Sequence, residues 1–148
     1  MDHFMKLGDF EHVIDFPQRG NLVYVHFYVR DGMNDGKPFY VGETGSFIGR
    51  MSDYLRATFA AATDFKVGEA IRYLAQNNIR VKVGYQECPD RKSARAKESE
   101  FIARLRKEGV PLLNDLDGYN YLTANEDDER SKVHQFCDDH ILRTARQQ

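Results

Sequence analysis

The sequence predicts an α+β fold, a small three-stranded mixed or antiparallel sheet flanked by helices, with an extra helix toward the C-terminal end. Three observations carry that reading. The runs Asn21–Val29 and Phe39–Gly42 are rich in β-branched and aromatic residues, and Ile79–Gln86 alternates apolar with polar side chains, so each has strand character. Between and after these runs, apolar residues return at helical spacing. With 148 residues, 41% hydrophobic and 30% charged, the chain is long enough for one good core but not for two, so residues 1–148 read as one domain.

In chain order, Asn21–Val29 reads as a buried strand, and the Asp31-Gly32 and Asp35-Gly36 pairs within Arg30–Pro38 are hairpin signals that return the next strand beside it. That next strand breaks at Gly42 and Gly45. Ser46–Ala62 then restarts as a helix on which Phe47, Met51, Leu55, Phe59 and Ala62 trace one stripe. Thr63 or Asp64 suits the cap of a second helix reaching Gln76, with Val67, Ala70, Ile71 and Leu74 inward, and Asn77-Asn78 stops it. After the third strand, Ser93 is the expected cap of a helix with Ala94, Phe101, Ile102 and Leu105 inward, ended by Gly109-Val110-Pro111. Glu126-Asp127-Asp128-Glu129 forms the acidic first turn of a last helix, whose apolar side is Val133, Phe136, Cys137, His140 and Ile141.

Composition narrows the function classes. The net charge of −2 conceals a basic middle: Arg50–Lys107 holds thirteen Lys/Arg against seven Asp/Glu, whereas Met1–Gly49 holds four against seven and Glu108–Gln148 four against nine. Such a block is either a solvated face or a polyanion site, and charge alone leaves both open. No apolar stretch approaches the roughly 20 residues that a bilayer requires, and MDHFMKLGDF lacks an apolar core of signal-peptide length, so the expected location is the cytoplasm, or the nucleoid or nucleus. Cys88 and Cys137 have no CxxC partner and are expected as two reduced thiols.

Five residues stand out chemically. The strand-to-helix turn Phe39–Arg50 brings Tyr40 and Arg50 close together, and Tyr24 lies on the adjacent strand. Two neighbouring buried phenols are either core aromatics or working groups, and each needs a hydrogen-bond partner. His26, alternating with Tyr24, reads as a packed histidine. Arg50 and Tyr54, four residues apart, share one flank of their helix, as an ordinary boundary pair or as a guanidinium aimed at a phosphate. Glu98 lies four residues from both Ala94 and Ile102, on the inward stripe, where an unpaired carboxylate is costly. It is therefore protonated, paired with Arg50 or Arg95, or bound to a cation.

Together these residues resemble the GIY-YIG endonuclease family. Leu22-Val23-Tyr24 occupies the first half of the name motif and Tyr40-Val41-Gly42 the second; Arg50 follows where the family carries its essential arginine, with Tyr54 one turn later. Glu98 and the downstream Asn114 match the family's metal-binding glutamate and asparagine. The resemblance covers 21–114, leaving 115–148 as an acidic turn plus C-terminal helix. Leu22 stands where the family has glycine, and Glu43 where some relatives place lysine.

The resemblance implies the GIY-YIG nuclease fold and a metal-dependent DNA endonuclease. In that reading Glu98 holds one divalent ion, Mg²⁺ or Mn²⁺; Arg50 clamps the scissile phosphate; Tyr24, or Tyr40 in its place, takes the proton from water; and Tyr54 helps to position the reactants. Gly42 and Asn114 are structural support, and Arg56, Lys66 and Lys97 line a basic cleft for DNA. The expected partner is duplex or branched DNA, with target choice set by DNA structure, the extra loops, a homodimer or a partner protein. The other expectation is a non-catalytic nucleic-acid or protein-binding module that retains the fold.

Overall fold

The computed structural model describes residues 6–9, 17, 19–30 and 36–143, with only the backbone of 6–9. The Asp31-Gly32 turn and Asp35 lie outside the described residues, as does most of MDHFMKLGDF. Strand β2 (Asn21–Val29) pairs antiparallel with both β3 (Lys37–Thr44) and β4 (Arg80–Cys88). These three are the expected strands. A short strand β1 (Lys6–Asp9), not expected from its sequence KLGD, pairs antiparallel with β4, giving the order β1-β4-β2-β3 and leaving β3 at the other edge.

Both faces of β2 are covered, which is why its sequence is a continuous apolar run. On one face, Leu22, Tyr24 and Tyr28 join Tyr40 in a core with helices α1 (Phe47–Arg56), α2 (Ala62–Gln76) and α4 (Glu126–Cys137). On the other, Val23, Val25, Phe27 and Val41 pack against Phe101 and Leu105 of α3 (Arg91–Lys107). The pairing slips between His26 and Phe27, with His26 opposite Tyr40 and Phe27 opposite Pro38, so Phe39 is the extra residue of a bulge. A bulge re-aims the side chains around it, and Phe39 and Tyr40 accordingly join the same core although they are consecutive.

The expected helix Ser46–Ala62 stops at Arg56, and residues 57–61 connect it to α2, the second expected helix. Ala57 adopts a left-handed conformation (φ 47°) and ends α1, and α2 starts after Ala61. The inward stripe of α1 is Phe47, Met51 and Tyr54, not Leu55, which is 64% exposed. The i, i+4, i+7 pattern follows the helical period more closely than i+8, and it carries the tyrosine inward. Gly68 lets α2 lie against α1: a Cβ there would collide with the Tyr54 carbonyl oxygen and sit 2.8 Å from Ala57 Cβ. Asp64 falls inside the first turn of α2 instead of capping it.

Helix α3 is capped by Asp90, whose carboxylate accepts from Ser93 N–H at 2.7 Å, so Ser93 is the third helical residue and not the cap. Gly109, at φ 78°, closes the helix. Helix α4 starts at Asn125, which accepts from Asp128 N–H, and its acidic first turn faces the positive end of the dipole. A π-helical turn over Asp138–Leu142 widens the spiral, so Ile141 and Leu142 turn inward and His140, expected on the packing stripe, is exposed. Among the described residues no helix is long and apolar enough to cross a membrane.

Candidate active site

The site starts from a cross-strand pair. Tyr24 of β2 stands opposite Gly42 of β3, and the phenol lies across the bare glycine: a Cβ at position 42 would sit 2.5 Å from Tyr24 Cζ. Gly42 is thus a seat for a ring, and any side chain would displace it. Asn114, on a single 3-10 turn (Leu113–Asp115), holds the same strand from its open edge. Its Oδ1 accepts from Val41 N–H at 2.9 Å and its Nδ2 donates to the Val41 carbonyl at 2.7 Å, so the side-chain amide pairs with β3 as a further strand would.

Tyr54, delivered by α1, meets Tyr24 hydroxyl to hydroxyl in a short hydrogen bond. Tyr40 packs against Tyr54, with ring centroids 6.3 Å apart and nearly perpendicular. The three phenols form one buried cluster. Burial pushes all three well above the ordinary tyrosine value, and the Arg50 charge draws them back down.

Arg50 lies over this cluster, its guanidinium carbon 5.1 Å from the Tyr54 ring centre. It is partly exposed and ion-paired to Asp64 of α2 at 2.9 Å, with Asp53 at 3.9 Å. Asp64, read from sequence as a cap, is the residue that orients Arg50. Nothing local signals this role, because the pairing depends on how α2 folds back on α1.

His26 is fully buried and central, with centroids 5.5 Å from both Tyr24 and Tyr54 and 5.8 Å from Tyr40. Burial pushes its imidazole down to about 3, so the ring is neutral near pH 7.

Glu98 comes from α3, on the opposite face of the sheet, and is half-buried beside β3. Its charge is felt at Glu43 and Tyr40 of β3. Burial and the Glu43 carboxylate push Glu98 up, and Arg95 draws it down. Glu43 in turn faces Arg91 at 3.5 Å and Arg95 at 3.6 Å, while its other oxygen is buried without a hydrogen-bond partner. Two carboxylates and two guanidiniums thus lie together, their formal charges balanced. No group of three or more His, Cys, Asp or Glu side chains suited to a metal gathers among the described residues.

The basic residues expected around the cleft are distributed differently. Lys66 is buried and donates to the Leu116 carbonyl at 2.6 Å, and burial lowers its ammonium. It serves the packing of the chain after α3 and presents no charge outward. Lys97 pairs with Glu100 at 3.4 Å, and Arg56 is exposed in the last turn of α1. The cations that face Glu43 are Arg91 and Arg95, which sequence spacing did not single out together.

Comparison of the chain with family models, curated proteins and solved structures finds no match in any of the three.

Proposed function

We propose that the chain is a metal-dependent DNA endonuclease of the GIY-YIG type. The observation that carries this reading is the gathering of buried Tyr24, Tyr40 and Tyr54 with the Arg50 guanidinium over the Tyr54 ring, Tyr24 and Tyr54 being joined hydroxyl to hydroxyl, while the charge of Glu98 is felt at Tyr40 from the other face of the sheet. Such a cluster is a polar one in an otherwise apolar core.

Glu98 would hold a divalent cation, Mg²⁺ or Mn²⁺, with water and a phosphate oxygen as its further partners. The half-buried Glu98 carboxylate and the Glu43 oxygen buried without a hydrogen bond are hard oxygen donors of the kind that suit such a cation. When bound, that ion supplies electrophilic polarisation of the phosphate and positive charge near the phenols. Arg50, partly exposed, grips a non-bridging oxygen of the scissile phosphate with its planar fork, giving up Asp64 to do so. Tyr24 would take the proton of the attacking water as a phenolate; burial opposes that charge, and the Arg50 guanidinium together with the bound cation would offset it. Tyr40, beside Glu98, orients the water, and Gly42 and Asn114 keep β3 and the Tyr24 ring in register.

The second reading, a non-catalytic binding module with the same fold, is favoured by the Arg50–Asp64 ion pair and by the deep burial of Tyr24. Nicking of supercoiled plasmid separates the two. The enzyme reading expects nicking in Mg²⁺, its abolition by EDTA, and a loss on the order of a hundredfold or more in Arg50→Ala. Salt-sensitive DNA binding without Mg²⁺-dependent nicking would establish the binding module instead.

A further inference from the structure

Resting on the nuclease reading, we infer that Arg91 and Arg95 form a second phosphate grip, which binds DNA beside the scissile position and which Glu43 holds in place. Three observations converge on it.

The two guanidiniums stand four residues apart at the start of α3, on one side of that helix, and both face the same Glu43 oxygen, at 3.5 and 3.6 Å. Glu43 and Glu98 feel each other's charge, so this pair of arginines adjoins the carboxylate end of the proposed site, as Arg50 adjoins the phenol end.

The grip is also loosely held. Separations of 3.5 and 3.6 Å exceed the 2.7–2.9 Å of a tight charge-assisted hydrogen bond, and each arginine side chain is 62% exposed, so the remaining donors of each fork face water. Glu43 itself is only 12% exposed, so it stays as counter-charge while a phosphate takes up the outward donors of both forks.

Finally, two other cations of the basic middle are held closely elsewhere: Lys66 is turned inward onto Leu116, and Arg106 pairs with Asp115. A carboxylate directly after the Tyr40-Val41-Gly42 motif would repel DNA if it stood alone, and here it is the counter-charge of two arginines.

The test reads binding apart from cleavage. A short fluorescein-labelled duplex is titrated with the full chain in EDTA at several salt concentrations, and anisotropy gives Kd and its salt slope. The double variant Arg91→Ala/Arg95→Ala is expected to flatten the log–log slope by about 2 and to weaken binding on the order of tenfold per arginine near 0.1 M salt. Arg91→Lys/Arg95→Lys, which keeps both charges, retains most of the slope. Glu43→Gln is expected to tighten binding a few fold, because it removes an anion from a phosphate site.

Opposite signs for the arginine and glutamate variants support the grip. If Glu43→Gln weakens binding as the arginine variants do, the three residues are a structural unit and the inference falls. An unchanged salt slope in the double alanine variant overturns it too, and if that wild type still nicks plasmid in Mg²⁺ the nuclease reading stands alone. A wild type that neither binds duplex nor nicks plasmid removes both.

Discussion

Gly42→Ala is the most informative single substitution, because two effects of opposite sign meet there. On backbone grounds alone, alanine in a strand is favoured over glycine by about 0.5–1 kcal/mol. The structure reverses that sign. The new Cβ would stand 2.5 Å from Tyr24 Cζ and 3.0 Å from Cε1, against the roughly 3.5–4.0 Å of ordinary carbon contacts, so the ring must retreat by about 1 Å. It has nowhere to go. Tyr24 is 1% exposed, packs edge-on against Phe47 and is tied to Tyr54 through its hydroxyl.

Overpacking of this kind costs about 1–3 kcal/mol, and breaking the Tyr24–Tyr54 bond leaves a buried hydroxyl at a further ~1–3 kcal/mol. Net of the backbone gain, Gly42→Ala is expected to destabilise by about 2–4 kcal/mol. Urea unfolding followed by circular dichroism measures it, with an unchanged m-value as the check that the folded state is intact. In a Tyr24→Leu background the same substitution should cost less than about 0.5 kcal/mol, since the clashing ring is gone. A neutral or stabilising Gly42→Ala, or an equal cost in both backgrounds, would refute the claim that Gly42 exists to seat Tyr24.

Two further outcomes follow from neighbouring residues. His26 is held down to about 3 by burial, below its unfolded value near 6.5, so the unfolded chain takes up the proton first as pH falls; stability is whole above about pH 6.5 and declines toward pH 3 by up to about 1.4 kcal/mol per unit. Urea midpoints between about pH 4 and pH 7 should show this decline, and His26→Leu should flatten it; an equally steep decline in His26→Leu would place the proton uptake elsewhere. Asn114→Ala removes both bonds to Val41 and should cost about 1–3 kcal/mol, with Asn114→Asp, which keeps the acceptor, lying between. A variant within ~0.5 kcal/mol of wild type would show that water replaces the amide freely.

What was legible in the sequence follows from how local each signal is. Asn21–Val29 announces itself because both faces of β2 are covered, and Glu98 stands out because a carboxylate breaks an otherwise apolar stripe. The Leu55-for-Tyr54 error arose because the periodic count ran through Ala57, where the helix ends. β1 was missed because four residues of KLGD carry no strand pattern of their own and pair only once β4 is present. The pairing of Arg50 with Asp64, the inward turn of Lys66, and the convergence of Arg91 and Arg95 on Glu43 are all tertiary. Charge counting placed these side chains in one basic block, and only the fold decides which of them faces a ligand.

The central claim is that a carboxylate from one face of the sheet and a tyrosine–arginine cluster from the other act as one Mg²⁺-dependent site. Its most direct test is the rate at which supercoiled plasmid is converted to nicked circles by wild type and by Glu98→Ala at matched Mg²⁺, with both proteins shown to be folded by circular dichroism. The account predicts nicking by wild type and a loss on the order of a hundredfold or more in Glu98→Ala. Nicking by Glu98→Ala at the wild-type rate would contradict it.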